Sequence, residues 1–503
     1  MENSTRDEGP LYLTIFGICL LEVYSFYTTL TPAEVTLLGI TSCSGLIILG
    51  AIFYHFFSKQ GRERRKNLKI IKTLPKSLVT QTENCVRMGV DKDLGVEIYL
   101  PDHIRSRHTH ILGATGSGKT ESVILNFIKQ DVKRGLGSII LDAKGDQSFI
   151  KELESVVPAD KLKVFDLADP GSLGYDPLCN GSPLESAQRL FSSLEWSEEY
   201  YKSKALSALQ GIYQYHYELE DKNPQLEDLS HYLEDSERYS AALAKRDDKE
   251  SKSTYKREYN DVLGLRDQIN LLCRGHLGSI LSPKGSVQIN LEDSKNGNVI
   301  YFRLQSLISP QLVSILGRLL INNLNFLAGT AHRDESKAKE VKLIPTYLDE
   351  FASFACLEFA DLISKARSAG LALHFSHQSI GDLSEVSKGF LNKITDNSAT
   401  KIVLRINDPD SAEFMSRSFG TKIYQKITQR VTNSKEAERA ESVGEGTVRE
   451  AHQYRAPPDL LKTLPTGTGS VLIAHGEENE EGASAVFKIK FPKLEEKINE
   501  KVD

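Results

Sequence analysis

The feature that most constrains this chain is a glycine-rich loop at positions 113–120, which matches the phosphate-binding pattern G-x-x-x-x-G-K-[ST] in full. The residues before it, Thr109–Leu112, are typical of a short buried strand, and Glu121–Lys133 has apolar residues at helical spacing. Strand, loop and helix therefore follow one another in the order that such a loop requires. This unit predicts an α/β domain that binds a nucleoside triphosphate.

Each residue type in the loop has a chemical reason. Glycines let backbone N–H groups close around phosphate oxygens, and the N-terminus of the following helix adds partial positive charge. Lys119 is predicted to reach the β- and γ-phosphates, and the Thr120 hydroxyl is predicted to coordinate Mg²⁺. The predicted nucleotide-binding residues are Gly113, Ala114, Thr115, Gly116, Ser117, Gly118, Lys119 and Thr120.

The composition is that of an ordinary globular protein. The 503 residues are enough for roughly three domains, and 40% of them are hydrophobic and 26% charged. A net charge of -6 argues against a generally basic nucleic-acid coat, although it leaves room for a local basic groove or a ring-shaped channel. The six cysteines have no C-x-x-C spacing, so the sequence indicates neither a zinc site nor a disulfide framework, and a reducing, cytosolic setting is predicted for the bulk of the chain.

Two apolar stretches at the start of the chain predict a membrane hairpin. Leu11–Leu30 and Val35–Phe57 are each long enough to cross about 30 Å of hydrocarbon as a helix. Their connection, Thr31–Glu34, has no Lys or Arg, whereas eight basic residues follow the second stretch between positions 59 and 76. The positive-inside rule therefore places everything after the second span, and the short N-terminus, in the cytoplasm.

Two details of this region leave alternatives open. A cleaved signal peptide is the other interpretation of the first stretch, but the acidic first ten residues and the second span argue against it. Glu22 lies inside the first span, where it either contacts a protein partner or lies near the outer headgroups.

The remainder of the chain alternates strand and helix patterns, which predicts a mostly parallel sheet covered by helices. The segment from Ser182 to Arg274 has few glycines and prolines and is predicted to be an all-α insertion. The predicted strands beyond the loop are Ser138–Asp142, Asn298–Leu304, Lys342–Leu348, Leu371–Ser379, Gly469–Ala474 and Ala485–Phe491, with a helix at Pro310–Leu327. The predicted domains are 1–58 as a transmembrane hairpin, 59–85 as a basic linker, 86–181 and 276–503 as the two parts of the nucleotide-binding domain, and 182–275 as the all-α domain.

Two adjacent carboxylates, Asp349 and Glu350, end an apolar strand, which is what hydrolysis requires beside a phosphate loop. Asp349 is predicted to hold the Mg²⁺ hydration shell and Glu350 to polarise the attacking water. Gln378, at the end of the next strand, is predicted to sense the γ-phosphate or orient water, with a capping or core-lining role as the alternative. Asp142 and Asp146 follow another strand and are predicted to lie at the same edge of the sheet, where open α/β sheets bind ligands.

Other polar residues have two possible roles each. Arg367 is a candidate for an arginine finger that acts across a subunit boundary, and Arg107 is a second candidate. For each, the alternative is an ion pair within the chain. His374 and His377 have H-x-x-H spacing, but on a strand they face opposite sides, which argues against a metal site. The polar stretch from Lys426 to Glu450 is either a nucleic-acid-contacting loop or a surface loop.

The order of these parts resembles the type IV coupling proteins of bacterial conjugation, the TraD/TraG-like family. The resemblance covers essentially the whole chain. Its motifs are the two spans, His110–Thr120, Ile140–Asp146, the all-α insertion, Leu348–Phe351, His377–Ser379, Ala399–Asp408, Ser411–Gly420 and Pro457–Leu464.

This resemblance implies a RecA-like ATPase that uses ATP and Mg²⁺ and assembles as a ring of six at the bacterial inner membrane. It implies that the chain brings a relaxase-bound DNA strand to a type IV secretion channel and drives its transfer. Lys119 and Thr120 would then bind nucleotide and Mg²⁺, Asp349 and Glu350 would serve hydrolysis, Gln378 would sense nucleotide, and Arg367 would act in trans. The helical insertion would contact the relaxosome. The chain ends at Asp503 without the long acidic tail that some relatives use to recognise accessory proteins, which leaves that mode of cargo selection in doubt.

Three other functions compete with this interpretation. A chromosome-segregating septal translocase resembles the chain only in its core. A coupling ATPase for protein effectors has the same motor but a different cargo. A docking platform that nucleotide stabilises without hydrolysis belongs to a different class, and the complete catalytic set disfavours it.

Overall fold

A computed structural model describes residues 59–244, 249–285, 288–333, 342–432, 441–476 and 483–492. The two predicted membrane spans and Glu22 lie outside the described residues. The chain divides into two compact units, Met1–Lys72 and Thr73–Asp503. In the first, the described residues belong to helix α1, Lys59–Thr73, so the segment predicted to be a basic linker is largely helical.

Thirteen strands are found among the described residues. They are β1 Cys85–Asp91, β2 Glu97–Pro101, β3 Thr109–Leu112, β4 Ser138–Asp142, β5 Leu162–Asp166, β6 Val299–Arg303, β7 Ile344–Asp349, β8 Leu371–His377, β9 Thr400–Val403, β10 Thr421–Thr432, β11 Glu441–Tyr454, β12 Thr468–Ile473 and β13 Ala485–Lys490. The strands predicted at the phosphate loop and after it are found in place, with ends that shift by one or two residues.

The helices after α1 are α2 Lys76–Val79, α3 Asp102–Arg105, α4 Leu125–Lys133, α5 Gln147–Val156, α6 Pro183–Ser193, α7 Glu199–Glu220, α8 Leu226–Tyr232, α9 Ser236–Leu243, α10 Lys249–Glu258, α11 Leu263–Cys273, α12 His276–Leu281, α13 Pro310–Arg333, α14 Leu357–Lys365, α15 Ile380–Ser384, α16 Lys388–Asp396, α17 Pro409–Phe419 and α18 Pro458–Lys462. One π-helical segment, Lys119–Ile124, leads into α4. The 3₁₀ segments are Tyr259–Val262, Leu291–Asn296, Phe351–Phe354 and Ala366–Ala369.

Eleven strands form one sheet in the order β2-β1-β13-β12-β9-β3-β8-β7-β4-β6-β5. The seven strands from β9 to β5 pair in parallel, and the remaining pairings are antiparallel. The sheet is therefore mixed, with the mostly parallel character that the sequence predicts. Because β3, β8, β7 and β4 are neighbours and parallel, their carboxyl ends lie at one edge of the sheet.

The central strands are buried on both faces. In β4, Ile139 and Leu141 pack into one hydrophobic core and Ile140 packs into another on the opposite face. This double burial explains why these strands are continuous apolar runs rather than alternating patterns. Helix α13 belongs to the first core: over Pro310–Ala331 it is long and apolar enough to cross a membrane, and 72% of its most apolar stretch is buried inside the structure.

Helices α6 to α12 occupy the chain between β5 and β6, where the sequence predicts an all-α insertion. The Ser182 side chain accepts a hydrogen bond from the Glu185 backbone in a capping box, and Pro183 occupies the first turn, which fixes where α6 begins. The buried residues of these helices, such as Leu209 and Leu265, belong to the same core as the sheet residue Phe302. The domain boundaries at 182 and 275 stay a prediction.

A buried polar cluster joins the helix after the phosphate loop to two central strands. The Arg105 guanidinium, which is fully buried, donates to both carboxylate oxygens of Asp131 on α4 at 2.5 and 2.6 Å. It also donates to the Tyr347 hydroxyl on β7 at 2.5 Å and, through Nε, to His374 Nε2 on β8 at 2.8 Å. Because a buried charge is costly unless it is paired and hydrogen-bonded, these contacts fix the relative positions of α4, β7 and β8.

The two histidines of the H-x-x-H pattern lie on opposite faces of β8, as the strand period requires. His374 accepts the hydrogen bond from Arg105, and burial lowers its pKa well below the ordinary value. His377 Nε2 lies 2.6 Å from His110 Nε2, and its Nδ1 lies 2.8 Å from the Ser379 carbonyl oxygen. The two rings therefore have separate polar partners.

The prediction of a loop from Lys426 to Glu450 is wrong for most of that stretch. Strands β10 and β11 pair in antiparallel fashion from Thr421↔Tyr454 to Thr432↔Glu441 as a separate two-stranded sheet. The sequence is polar and glycine-bearing, but cross-strand backbone hydrogen bonds satisfy the peptide groups of the two strands.

Candidate nucleotide-binding and hydrolysis site

The phosphate loop leaves the carboxyl end of β3 and turns into a helix. Gly116 and Gly118 have φ angles of 72° and 97°, a region that favours glycine. A Cβ atom on Gly118 would also lie 2.9 Å from Ser122 Oγ and 3.2 Å from the backbone nitrogen of Gly467. The glycines that phosphate binding requires in this loop are therefore also required by backbone conformation and, at Gly118, by close packing.

Lys119 lies inside this turn with 6% of its surface exposed. Its ammonium donates to the Gly113 carbonyl oxygen at 2.7 Å and lies 3.8 Å from Glu350 Oε1. The cation is thus held at the centre of the loop, next to one of the two strand-end carboxylates.

Asp349, the last residue of β7, is connected to the loop directly. It is 2% exposed, and its Oδ2 accepts a hydrogen bond from Thr120 Oγ1 at 2.7 Å. The Ser376 hydroxyl on β8 and the Glu350 backbone N–H both donate to Oδ1. A hydroxyl and a carboxylate in contact are a donor set that suits Mg²⁺, which prefers oxygen ligands and keeps several waters.

Glu350 follows the strand in an unusual conformation. Its φ of 51° and ψ of 46° are left-handed, which is uncommon for a residue with a side chain and occurs at functional sites. Gln378 Nε2 donates to Glu350 Oε2 at 3.1 Å, and Thr115 Oγ1 donates to Gln378 Oε1 at 2.8 Å. The structure therefore brings Lys119, Glu350 and Gln378 together with the loop, as the sequence predicts.

These residues line a cleft of about 490 Å³ at the carboxyl edge of the sheet. Asp142, at the end of β4, also lines it and lies beside Asp349 in the parallel register. Burial, together with the charge of Asp349, raises the pKa of Asp142 to about 6. The Asp142 carboxylate accepts hydrogen bonds from the Tyr301 hydroxyl and from two backbone N–H groups.

Sequence reasoning missed two contributions to this site. Ser376 contacts Asp349 from inside a strand that looks uniformly structural in the sequence. Thr466 and Gly467 contact the loop: Thr466 Oγ1 donates to the Gly116 carbonyl oxygen at 3.3 Å, and the Gly467 backbone N–H donates to the Ser117 carbonyl oxygen at 3.0 Å. No local pattern signals a contact between residues 350 positions apart.

The two candidate arginines lie away from this cleft. Arg367 is exposed on the turn before β8, whereas Gln378 follows the carboxyl end of that strand, roughly 20 Å further along at the rise of an extended chain. Arg107 precedes β3, and its Nη1 donates to the Ala474 carbonyl oxygen at 3.0 Å. Neither arginine belongs to the nucleotide site of its own chain.

Two family models match separate parts of the chain. Residues 87–302 match a model described as the central domain of helicase HerA. Residues 344–466 match a model described as the TraM recognition site of TraD and TraG. The second match includes β7, β8 and the Thr466 segment, which is the carboxylate side of the cleft.

A curated relative connects the two parts. The chain is 24% identical over 444 residues to the type 4 coupling protein DotL of Legionella pneumophila, an alignment that covers 74% of this chain. The chain is therefore similar in sequence to a type IV coupling protein over most of its length. It spans about half, 56%, of the length of DotL.

Solved structures of coupling proteins show the same fold. The unbound bacterial conjugative coupling protein TrwB lacking its first 70 residues matches with a TM-score of 0.59 at 18% identity, covering 86% of this chain and 92% of that chain. TrwB in complex with ADP and Mg²⁺ matches with a TM-score of 0.58 at 17% identity and the same coverage. This chain therefore has the RecA-like P-loop ATPase fold, with a mixed α/β sheet.

Proposed function

We propose that this protein is a type IV coupling protein, a membrane-anchored ATPase that connects a relaxase–DNA complex to a type IV secretion channel and drives DNA transfer. The observation that carries the proposal is the single cleft in which the phosphate loop, Asp349, Glu350 and Gln378 contact one another. A docking platform needs a nucleotide-binding loop but no water-activating carboxylate. The cleft contains both, which favours hydrolysis.

The proposed roles follow from chemistry and position. Lys119 and the loop N–H groups bind the ATP phosphates, and Thr120 and Asp349 hold Mg²⁺, which neutralises charge on the β- and γ-phosphates when it is bound. Glu350 accepts a proton from the attacking water. Gln378, between Thr115 and Glu350, orients that water or reports the presence of the γ-phosphate.

The cargo and setting are proposed from the relatives and from the sequence. TrwB is described as a conjugative and as a plasmid coupling protein, and the second family model as a TraM recognition site. These descriptions support relaxosome proteins and type IV secretion components as partners. Single-stranded DNA and inner-membrane channel components are proposed from the sequence resemblance to the type IV coupling proteins. The stretches Leu11–Leu30 and Val35–Phe57 support an inner-membrane anchor with the large domain in the cytoplasm.

Stimulation of hydrolysis by DNA tests this function. We expect the full chain, purified in detergent, to hydrolyse ATP faster when single-stranded DNA of mixed sequence is added at about 50 mM salt. Backbone contacts dominate sequence-independent binding, so the DNA affinity should fall by about 10³-fold or more at about 200 mM salt, and the stimulation with it. Hydrolysis that is indifferent to DNA at low salt would contradict a DNA cargo and favour protein effectors.

A ring of six is proposed from the resemblance to type IV coupling proteins, and the exposed position of Arg367, away from the cleft of its own chain, leaves it accessible to a neighbouring copy. We expect Lys119→Ala and Arg367→Ala proteins to be inactive alone, and an equal mixture to recover about a quarter of wild-type hydrolysis, since half of the sites keep Lys119 and half of their neighbours keep Arg367. Nucleotide binding by Arg367→Ala serves as the folding control. A mixture that stays inactive would show that Arg367 does not act on a neighbouring copy.

A further inference from the structure

The turn after β4 projects a second lysine into the nucleotide cleft. Asp142 Oδ1 accepts hydrogen bonds from the backbone N–H groups of Lys144 and Gly145, at 2.9 and 3.0 Å. Gly145 has a φ of 65°, and a Cβ atom there would lie 2.5 Å from Gln305 Cγ, so the turn tolerates only glycine at this position. The backbone that carries Lys144 is therefore fixed by a buried carboxylate.

The Lys144 side chain lines the cleft and contacts Asp146 in the same turn. Its ammonium donates to Asp146 Oδ2 at 2.8 Å, while 56% of the side chain is exposed. The hydrogen bond to Asp146 is the main reason that the pKa of Lys144 is raised, and the charges of Asp142 and Asp349 raise it further. The cation thus lies within electrostatic reach of the proposed Mg²⁺ ligand.

Negatively charged side chains outnumber positively charged ones in the lining of the cleft. Among the described residues, six carboxylates line it: Glu121, Asp142, Asp146, Glu152, Asp349 and Glu350. The lysines that line it in the described part of the chain are Lys119 and Lys144. Lys119 is held within the loop by the Gly113 carbonyl oxygen, so Lys144 is the lysine with a side chain exposed to the cleft.

We propose that Lys144 is a second phosphate-binding cation. When nucleotide is bound, the Lys144 ammonium gives up its contact with Asp146 and contacts the terminal phosphate of the nucleotide that Lys119 holds. This inference rests on the proposed function. An ion pair between half-exposed side chains is weak, so a phosphate oxygen can replace the Asp146 oxygen. Asp146 keeps its other role, because its Oδ1 accepts the Ser148 backbone N–H that caps α5.

Nucleotide affinity of Lys144→Gln tests the proposal. With Mg²⁺ present, we expect the full chain carrying this change to bind the non-hydrolysable analogue AMP-PNP about tenfold more weakly than wild type, since a charge-assisted contact is lost. The affinity for ADP, which lacks the terminal phosphate, should change less than about twofold. Lys151→Gln, an exposed lysine on α5 outside the cleft, is the matched control and should bind both nucleotides as wild type does.

Asp146→Asn separates phosphate binding from a structural role of the Lys144–Asp146 pair. Asparagine still caps α5 but removes the competing charge, so this variant should bind AMP-PNP as tightly as wild type or more tightly. If Lys144 only supports the turn, Asp146→Asn and Lys144→Gln will weaken binding equally, and the proposal is wrong. Unchanged AMP-PNP affinity in Lys144→Gln, in a protein whose hydrolysis still requires Lys119, would overturn this inference and leave the proposed function standing. Failure of wild type to bind AMP-PNP would overturn both.

Discussion

Lys119→Ala is expected to lower the rate of ATP hydrolysis by about 10²- to 10³-fold, the usual loss when one positioned donor to a transition-state oxygen is removed. The ammonium lies in the loop beside the Gly113 carbonyl oxygen, and Glu350 is 3.8 Å away. Removing it also leaves a carboxylate-rich cleft that repels the phosphates. The measurement is steady-state phosphate release by the full chain, together with AMP-PNP affinity, which should weaken.

Lys133→Ala is the matched control for this change. Lys133 is an exposed lysine in the last turn of α4, the same helix that the phosphate loop enters, and it lies outside the cleft. Its replacement should leave hydrolysis close to wild type. If Lys119→Ala retained wild-type hydrolysis, or if plasmid transfer survived in cells that carry it, the motor hypothesis would be wrong and a docking role would gain support.

Glu350→Gln is expected to separate binding from hydrolysis. The change keeps the shape of the side chain and its contact with Gln378, but it removes the group that accepts a proton from water. The hydrolysis rate should fall by about 10²- to 10⁴-fold, the range for loss of a general base. Affinity for Mg²⁺–ATP should be kept or should rise, because one negative charge leaves the phosphate site.

The control for Glu350→Gln removes the same charge from elsewhere in the same cleft. Glu121 is exposed in the turn that follows the loop, so Glu121→Gln should change hydrolysis only slightly. Equal losses in the two variants would mean that overall cleft charge, rather than proton transfer at Glu350, sets the rate. The left-handed backbone at position 350 persists in the glutamine variant, so this comparison does not change the strain at that residue.

The buried cluster around Arg105 explains how these side chains keep their positions. Asp131 lies on the helix that the phosphate loop enters, and Tyr347 lies two residues before Asp349 on β7. One guanidinium thus connects the loop helix with the carboxylate strand behind the cleft. The arrangement depends on residues that are distant in the chain, and nothing in the local sequence around Arg105 indicates it.

The sequence by itself determined the local units of the site. A loop that must surround phosphate has little choice of residues, so Gly113–Thr120 was recognisable, and the apolar runs that end in Asp349–Glu350 and Gln378 identified buried parallel strands with polar ends. The order of these units along the chain was enough to predict the helical insertion and the common edge of the sheet.

Only the tertiary structure decided how the units meet. It brought Ser376 to Asp349, Thr466 to the loop and Lys144 to the cleft, and it raised the pKa of Asp142 by burying that carboxylate beside another. It also paired β10 with β11 where the polar sequence predicts a loop. The physical reason is that burial, electrostatic coupling and strand pairing depend on which distant residues come together, whereas sequence patterns report periodicity and backbone preference over a few neighbouring positions.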